Sequence, residues 1–296
     1  MKKFFKNCLL GMSALTMALG FTACDEPEKI TYADTYNDKT VSTVYEEVGT
    51  ELETLVNQET RNYQVNMNMA MVMNVSGAGV NMTAMTMNMS MIDKICGQTE
   101  YGKANVSMSA MGYSASSVVE MWYADEKMYM KQTANGETMK EVRDMPWSEY
   151  QAQMGESVDT TIYDVDPSAL ENVQFAIGDK NGCRFTVTIT GEYMQPILDE
   201  ALGMVEESGE TGLPFSDMSC SDIEYTIYVN NDGTFKKANM VFDMIMTQDI
   251  EDELGGTQTV TYTMSFNMTM SITNVGKIAP ITPPSDASSY SPSTYM

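Results

Sequence analysis

Residues 259–272, with the sequence TVTYTMSFNMTMSI, decide the fold of this chain. Apolar and polar residues alternate over the whole stretch, which is the two-residue period of a β-strand. At roughly 3.3 Å per residue the strand would be about 40 Å long, which is long for a globular protein. The apolar face consists of Val260, Tyr262, Met264, Phe266, Met268, Met270 and Ile272. Thr, Ser and Asn occupy the other face, as in an antiparallel sheet that buries one side.

The same period recurs elsewhere in the chain and predicts antiparallel hairpins. Residues 65–75 and 84–91 alternate on either side of a Ser-Gly-Ala-Gly turn at 76–79, and their apolar face is almost entirely methionine. Further hairpins are predicted at residues 120–131, at 173–189 with a turn at 178–182, and at 223–246 with a turn at 230–233. An acidic loop is predicted at 248–256.

Three segments predict helices. Residues 39–60 place Val44, Val48, Leu52, Leu55 and Val56 near a 3.6-residue period, and the Asp-Met-Pro-Trp sequence at 144–147 is a helix start. A third stripe contains Met194, Ile197, Leu198, Ala201, Leu202 and Val205. We expect this third helix to cover an apolar sheet face. Gly203 weakens it, and Glu206 and Glu207 oppose its dipole, so it should detach easily.

The N-terminus has the pattern of a bacterial lipoprotein signal. Lys2, Lys3 and Lys6 precede an uncharged apolar stretch at 9–21, too short to span a bilayer comfortably. Phe21-Thr22-Ala23-Cys24 resembles the lipobox, which implies lipidation of Cys24, cleavage before it and anchoring on the extracytoplasmic face of the bacterial cell membrane. A plain signal peptide that happens to end in Cys, or an uncleaved anchor, is the alternative. The predicted organisation is a signal peptide (1–23), an acidic tether (24–38), a single domain (39–278) and a disordered tail (279–296).

The composition excludes several function classes. The chain has 296 residues, a net charge of −24 and no histidine, so it cannot contain a Ser-His-Asp triad or a histidine metal site. It also lacks G-x-S-x-G, P-loop and C-x-x-C motifs. A strongly acidic surface repels nucleic acid. We therefore predict a non-enzymatic protein with no catalytic residues, no metal site and no cofactor. With 41 acidic residues, carboxylate pairs are too numerous to single one out.

The cysteines leave the disulfide question open. Besides Cys8 and Cys24 the chain has Cys96, Cys183 and Cys220, which permit at most one internal bridge with three possible pairings. The other interpretation, that these cysteines are small buried or unpaired residues, is at least as good as a disulfide bridge.

The lipobox, the acidic tether, the N-terminal helix and the long strands with interposed helices together resemble the surface lipoproteins of the LolA/LppX-like superfamily. The resemblance covers roughly residues 39–278 and also draws on the Tyr123–Met130 hairpin and the final Met-rich strands. It implies an α+β fold in which a long-stranded, curved antiparallel sheet, a half-barrel, has helices packed on its concave face. It also implies a lipid or acyl chain as ligand between sheet and helices.

The methionine-rich face has three interpretations. It is the buried side of a filled sheet, or an adaptable cavity for acyl chains, or a site where thioethers capture Cu(I) or Ag(I). Same-face residues lie about 6.6–7 Å apart along a strand, which does not favour the metal. The Asn230–Gly233 turn fits a hairpin better than a calcium loop. We predict a ligand cavity, covered by Leu198 and Leu202, that is lined by Met67, Met69, Met71, Met73, Met85, Met87, Met89, Met91, Met264, Phe266, Met268 and Met270. The partners would be the membrane and possible lipid; protein partners stay unspecified. The alternative is a structural or interaction lipoprotein without a ligand.

Overall fold

A computed structural model describes residues 28–57, 61–155, 170, 172–180, 182–192, 195, 217–251 and 257–293. The α-helices whose bounds are described are α1 (Val41–Asn57) and α2 (Trp147–Gly155), and Ala287–Ser289 form a short 3₁₀ turn. Neither described helix has the length and hydropathy of a membrane-spanning segment. The strands are β1 (Ile30–Ala33), β2 (Thr35–Tyr36), β3 (Lys39–Thr40), β4 (Asn62–Gly77), β5 (Val80–Cys96), β6 (Thr99–Ala110), β7 (Tyr113–Ala124), β8 (Lys127–Ala134), β9 (Glu137–Asp144), β10 (Phe175–Gly178), β11 (Gly182–Ile189), β12 (Asp217–Cys220), β13 (Ile223–Val229), β14 (Phe235–Glu251), β15 (Thr257–Thr273) and β16 (Ser291–Pro292).

One sheet organises the described residues. Its strand order is β1-β10-β11-β13-β14-β15-β4-β5-β6-β7-β8-β9-β16, with β12 paired to β14 beside β13, while β2 and β3 form a separate ribbon. Every pairing in the large sheet is antiparallel except the short β16–β9 contact. The last long strand, β15, lies between β14 and the first long strand, β4. The predicted antiparallel sheet is therefore confirmed.

The hairpins fall where the alternation predicts them. β4–β5, β7–β8, β10–β11 and β13–β14 are each joined by a tight connection. Gly77 shows why small residues are needed at the first turn: its φ is +114°, and a Cβ there would clash with the carbonyl oxygen of Thr259. The predicted acidic loop at 248–256 is wrong for residues 248–251, which belong to β14, and residues 252–256 lie outside the described residues.

Helix α1 packs on the apolar side of the sheet. The Thr40 hydroxyl accepts a hydrogen bond of 3.3 Å from the Thr43 N–H and caps the helix start. Val44, Val48 and Leu52 are buried at the predicted spacing. They share one core with the side chains of β10, β11 and β13–β15, including Phe175, Phe185, Ile227, Phe235 and Phe266. The helix predicted at 39–60 is wrong for Lys39 and Thr40, which form β3; α1 covers Val41–Asn57, and residues 58–60 lie outside the described residues.

The predicted acidic tether at 24–38 is wrong for its later residues. Ile30–Ala33 form the edge strand β1, which pairs with β10. Glu28 accepts a 2.9 Å hydrogen bond from the guanidinium of Arg184, and both side chains of this ion pair are largely buried. Three of the four β1 residues are exposed, so no apolar alternation marks this strand in the sequence.

The predicted disordered tail at 279–296 is also wrong over its described part. Within residues 279–293, the Ile281 N–H donates to the Thr99 hydroxyl of β6, and Ser291–Pro292 pair with β9. Tyr290 is only 7% exposed and makes edge-to-face contacts with Trp122 and Tyr129. Lys140 forms a 2.6 Å ion pair with Asp286. A two-residue strand and one aromatic anchor produce no periodic pattern, so the sequence of this segment does not predict its structure.

We predict that Tyr290→Ala lowers the free energy of unfolding by about 3 kcal/mol, because the ring leaves a cavity between Trp122 and Tyr129. Tyr290→Phe is the matched control. The Tyr290 hydroxyl is buried without a hydrogen-bond partner among the described residues, so its removal should be neutral or slightly stabilising. Urea denaturation followed by tryptophan fluorescence measures both variants. Equal stability of Tyr290→Ala and the wild type would show that the segment is not anchored.

Candidate functional site

The twelve strand residues predicted to line the cavity lie on one face of three adjacent strands, here called the methionine face. Residues of β15, β4 and β5 on this face pair directly with one another and form four rows across the strands. In each row, β14 adds one more apolar residue. Residues opposed on neighbouring strands have Cβ atoms about 4.5–5.5 Å apart, so side chains within a row touch. In the order β14–β15–β4–β5 the rows are Ala238–Met270–Met67–Met91, Met240–Met268–Met69–Met89, Phe242–Phe266–Met71–Met87 and Met244–Met264–Met73–Met85.

Burial varies across the methionine face. Its centre is buried, with Met69, Met71, Met89 and Phe266 at most 5% exposed. The row next to the β4–β5 turn is half-buried along β15, β4 and β5. Beyond that row lie the exposed apolar residues Val80 and Met82 at the hairpin end. The apolar surface therefore continues from the core to the end of the β4–β5 hairpin.

Helix α1 covers part of the methionine face. Met71, Phe266 and Met268 belong to the same core as Val44 and Val48 of α1. Leu198 and Leu202, the predicted cover, lie outside the described residues; of that segment only Gly191, Glu192 and Gln195 are described, and all three are helical. The stripe at Val44, Val48 and Leu52 is the sequence signal that could have identified α1 as a cover.

Two shallow surface pockets, of about 460 and 420 Å³, lie away from the methionine face. One is lined by the β13–β14 turn and Lys236, and the other by the start of α1 with Leu170 and Val173. Asn230, Asn231 and Asp232 form a hairpin turn, in which the Gly233 N–H donates to the Asn230 carbonyl. The hairpin interpretation of this turn is confirmed.

A buried carboxyl pair lies at the edge of the methionine face. Asp93 follows Met91 on the same face of β5, and Glu100 lies diagonally across on β6. Glu100 is 3% exposed. Helix α2 closes over the pair with Tyr150, whose ring stacks on Tyr123 at a centroid distance of 4.0 Å. The sequence did not distinguish these two carboxyls from the many others.

Burial raises the pKa of both carboxyls, and the proximity of Glu100 raises the pKa of Asp93 further. The positive charge of Arg61 acts in the opposite direction on both. Asp93 Oδ1 and the Tyr150 hydroxyl are buried beside Glu100, and the Tyr150 hydroxyl lowers the pKa of Glu100. Two adjacent buried carboxylates cannot both be charged cheaply, so the pair holds a proton to a higher pH than an isolated exposed carboxyl does.

We predict that Asp93→Asn reduces the dependence of folding stability on pH. The folded pKa values lie above the ordinary values of 3.8 for Asp and 4.5 for Glu, so the folded chain holds protons that the unfolded chain releases. Stability should therefore fall as pH rises from about 4 through the folded pKa, by at most about 1.4 kcal/mol per pH unit for each proton that only the folded chain holds. Urea denaturation at pH 5 and pH 8 measures this decline, which should be smaller in the variant.

Asp125→Asn is the control for this experiment, because Asp125 is an exposed turn residue. Asp125→Asn should leave the fall in stability between pH 5 and pH 8 unchanged, because an exposed carboxylate contributes only to the general repulsion within an acidic chain. If the stability of Asp93→Asn falls with pH in parallel with the wild type, the carboxyl pair does not share a proton.

Cys96, Cys183 and Cys220 are free thiols. Of the interpretations left open by the sequence, the unpaired one is therefore correct for these three residues. Within the described part of the chain, no three His, Cys, Asp or Glu side chains converge as a metal site would require.

No protein-family model and no curated protein matches this chain. A solved structure from Nitrosomonas europaea, provisionally described as AttH, is similar at 8% sequence identity with a TM-score of 0.17. That match covers 71% of this chain and 52% of the other, so the chain spans about half the length of that protein. A similarity this low carries no argument about fold or function.

Proposed function

We propose that this chain is a membrane-anchored extracytoplasmic lipoprotein that binds a lipid, or another ligand with an acyl chain, on its methionine face. The proposal includes lipidation at Cys24, the half-barrel curvature of the sheet and helices on its concave side. The protein would hold its ligand without catalysing a reaction.

The observation that supports the proposal is the continuity of the methionine face. Its four rows cross β14, β15, β4 and β5, and its half-buried row leads to exposed Val80 and Met82. Unbranched methionine side chains repack around guests of different shape better than Val or Ile. Each CH₂ of a guest chain buried there would gain about 0.8 kcal/mol.

A second candidate is a structural or interaction lipoprotein whose core is filled. It is favoured by the deep burial of the central rows. Native mass spectrometry separates the two candidates. A lipid mass that copurifies with the protein supports ligand binding, whereas protein that is free of lipid and takes up none supports a filled core.

Two matched variants locate the ligand in that experiment. Met85→Glu places a charge in the half-buried row and should reduce the lipid-bound fraction. Met139→Glu places the same charge on β9, where Met139 is already exposed, and should leave the fraction unchanged. Equal lipid binding by both variants would remove the methionine face from the proposal.

Membrane anchoring has its own test. Cys24→Ala should abolish acylation, so the protein is released to the medium or remains unprocessed. Mass spectrometry of the N-terminal peptide of the wild type should show the added acyl groups. Processing that is insensitive to globomycin, with no acyl mass, would contradict the assignment of Cys24.

A further inference from the structure

A cluster of sulfur-containing side chains forms where the short strand β12 meets β14 and β15. Met218 and Cys220 lie on one side of β12, opposed to Met246 and Met244 of β14. Met244 is in turn opposed to Met264 of β15. Met218 and Met246 are buried, and Cys220, Met244, Met264 and Tyr262 pack against them. One thiol and four thioethers therefore come together from three strands.

This arrangement removes the geometric objection to metal capture by methionine. Successive same-face residues on one strand are about 6.6–7 Å apart, but opposed residues on neighbouring strands are about 4.5–5.5 Å apart. Flexible side chains can direct sulfur atoms from that separation towards one ion. The cluster also contains a free cysteine, which the Met-rich repeats themselves do not have.

We propose that the sulfur cluster of Met218, Cys220, Met244, Met246 and Met264 binds a soft monovalent cation, Cu(I) or Ag(I). Thiolate and thioether sulfur are the protein ligands that such ions prefer. Cys220, Met244 and Met264 are half-buried, so an ion can reach the cluster from solvent. The cluster shares Met244 and Met264 with the methionine face, but the inference does not require a lipid ligand, because it concerns the sulfur donors on β12, β14 and β15.

The Cys220 thiol must release its proton when it binds the metal ion. Burial, together with the nearby Asp243 and Asp222 carboxylates, raises the pKa of the thiol to about 11. Binding forms a sulfur–metal bond while the S–H bond of Cys220 breaks and the proton leaves to solvent. A thiolate and a monovalent cation together are neutral, which suits a half-buried position.

Competition for Cu(I) tests the site directly. The full-length protein in detergent, kept anaerobic with ascorbate, is titrated with Cu(I) in the presence of bicinchoninate, while ¹³C-methyl methionine NMR follows the side chains. One equivalent should resist the competitor and shift the methyl signals of Met218, Met244, Met246 and Met264. Failure to retain Cu(I), or shifts confined to other methionines, would overturn the proposal.

Variants separate the cluster from non-specific binding by thiols. Cys220→Ala should weaken binding about 100-fold or more, whereas Cys96→Ala and Cys183→Ala should leave it unchanged. The paired Met244→Leu and Met264→Leu substitutions conserve volume and packing, so a loss of affinity in a folded protein reports the lost thioethers. Wild-type affinity in Cys220→Ala, or equal losses in all three cysteine variants, would contradict the assignment.

Discussion

Val44→Asp is expected to lower the free energy of unfolding by about 4 kcal/mol or more, enough to unfold a large fraction of a marginally stable chain. Val44 is fully buried and faces the core that α1 shares with the sheet. A carboxylate there loses its hydration and gains no cationic partner from that apolar core. Urea denaturation followed by circular dichroism measures the loss.

Thr50→Asp provides the matched control, because Thr50 lies on the exposed side of the same helix. It introduces the same charge and should change stability by less than about 1 kcal/mol. If Val44→Asp is as stable as Thr50→Asp, helix α1 does not cover the sheet, and the packing described for the core is incorrect.

Phe266→Ala should have the second-largest effect, a loss of about 4 kcal/mol. Phe266 is 2% exposed at the centre of the methionine face, and its ring stacks on Phe242 at a centroid distance of 5.0 Å. The substitution removes the buried ring and an aromatic pair that contributes about 0.5–1.5 kcal/mol beyond burial. Thermal and urea denaturation both measure this loss.

Tyr113→Ala serves as the control for Phe266→Ala, because Tyr113 is 83% exposed at the start of β7. It should change stability by no more than about 0.5 kcal/mol. A loss below about 1 kcal/mol in Phe266→Ala would mean that the ring does not lie in a packed core, and that the centre of the methionine face is loose or open.

The long strands and their faces could be predicted from the sequence, because side-chain alternation reports burial on one side of a sheet. Residues 259–272 show this most clearly: the predicted strand is β15, and the partners of Met264, Phe266, Met268 and Met270 are the residues of the same pattern in β4. The alternation also fixes register, since a slip of one residue would expose every methionine.

Features that depend on contacts between distant or non-periodic segments could not be predicted. β1 and residues 279–293 are held by backbone pairing and a few anchors, so they carry no repeating pattern. Asp93 and Glu100 are ordinary acidic residues until β5, β6 and α2 bury them together. Cys220 becomes part of a sulfur cluster only through the pairing of β12 with β14.

A titration of delipidated protein with palmitic acid, observed by ¹³C-methyl methionine NMR, tests the central claim most directly. Binding on the methionine face predicts saturable shifts of Met73, Met85 and Met264, with their neighbours in adjacent rows responding less. Met111 and Met139, which are exposed elsewhere, should not respond. No saturable shift, or shifts confined to Met111 and Met139, would contradict the account and leave the methionine face as a filled core.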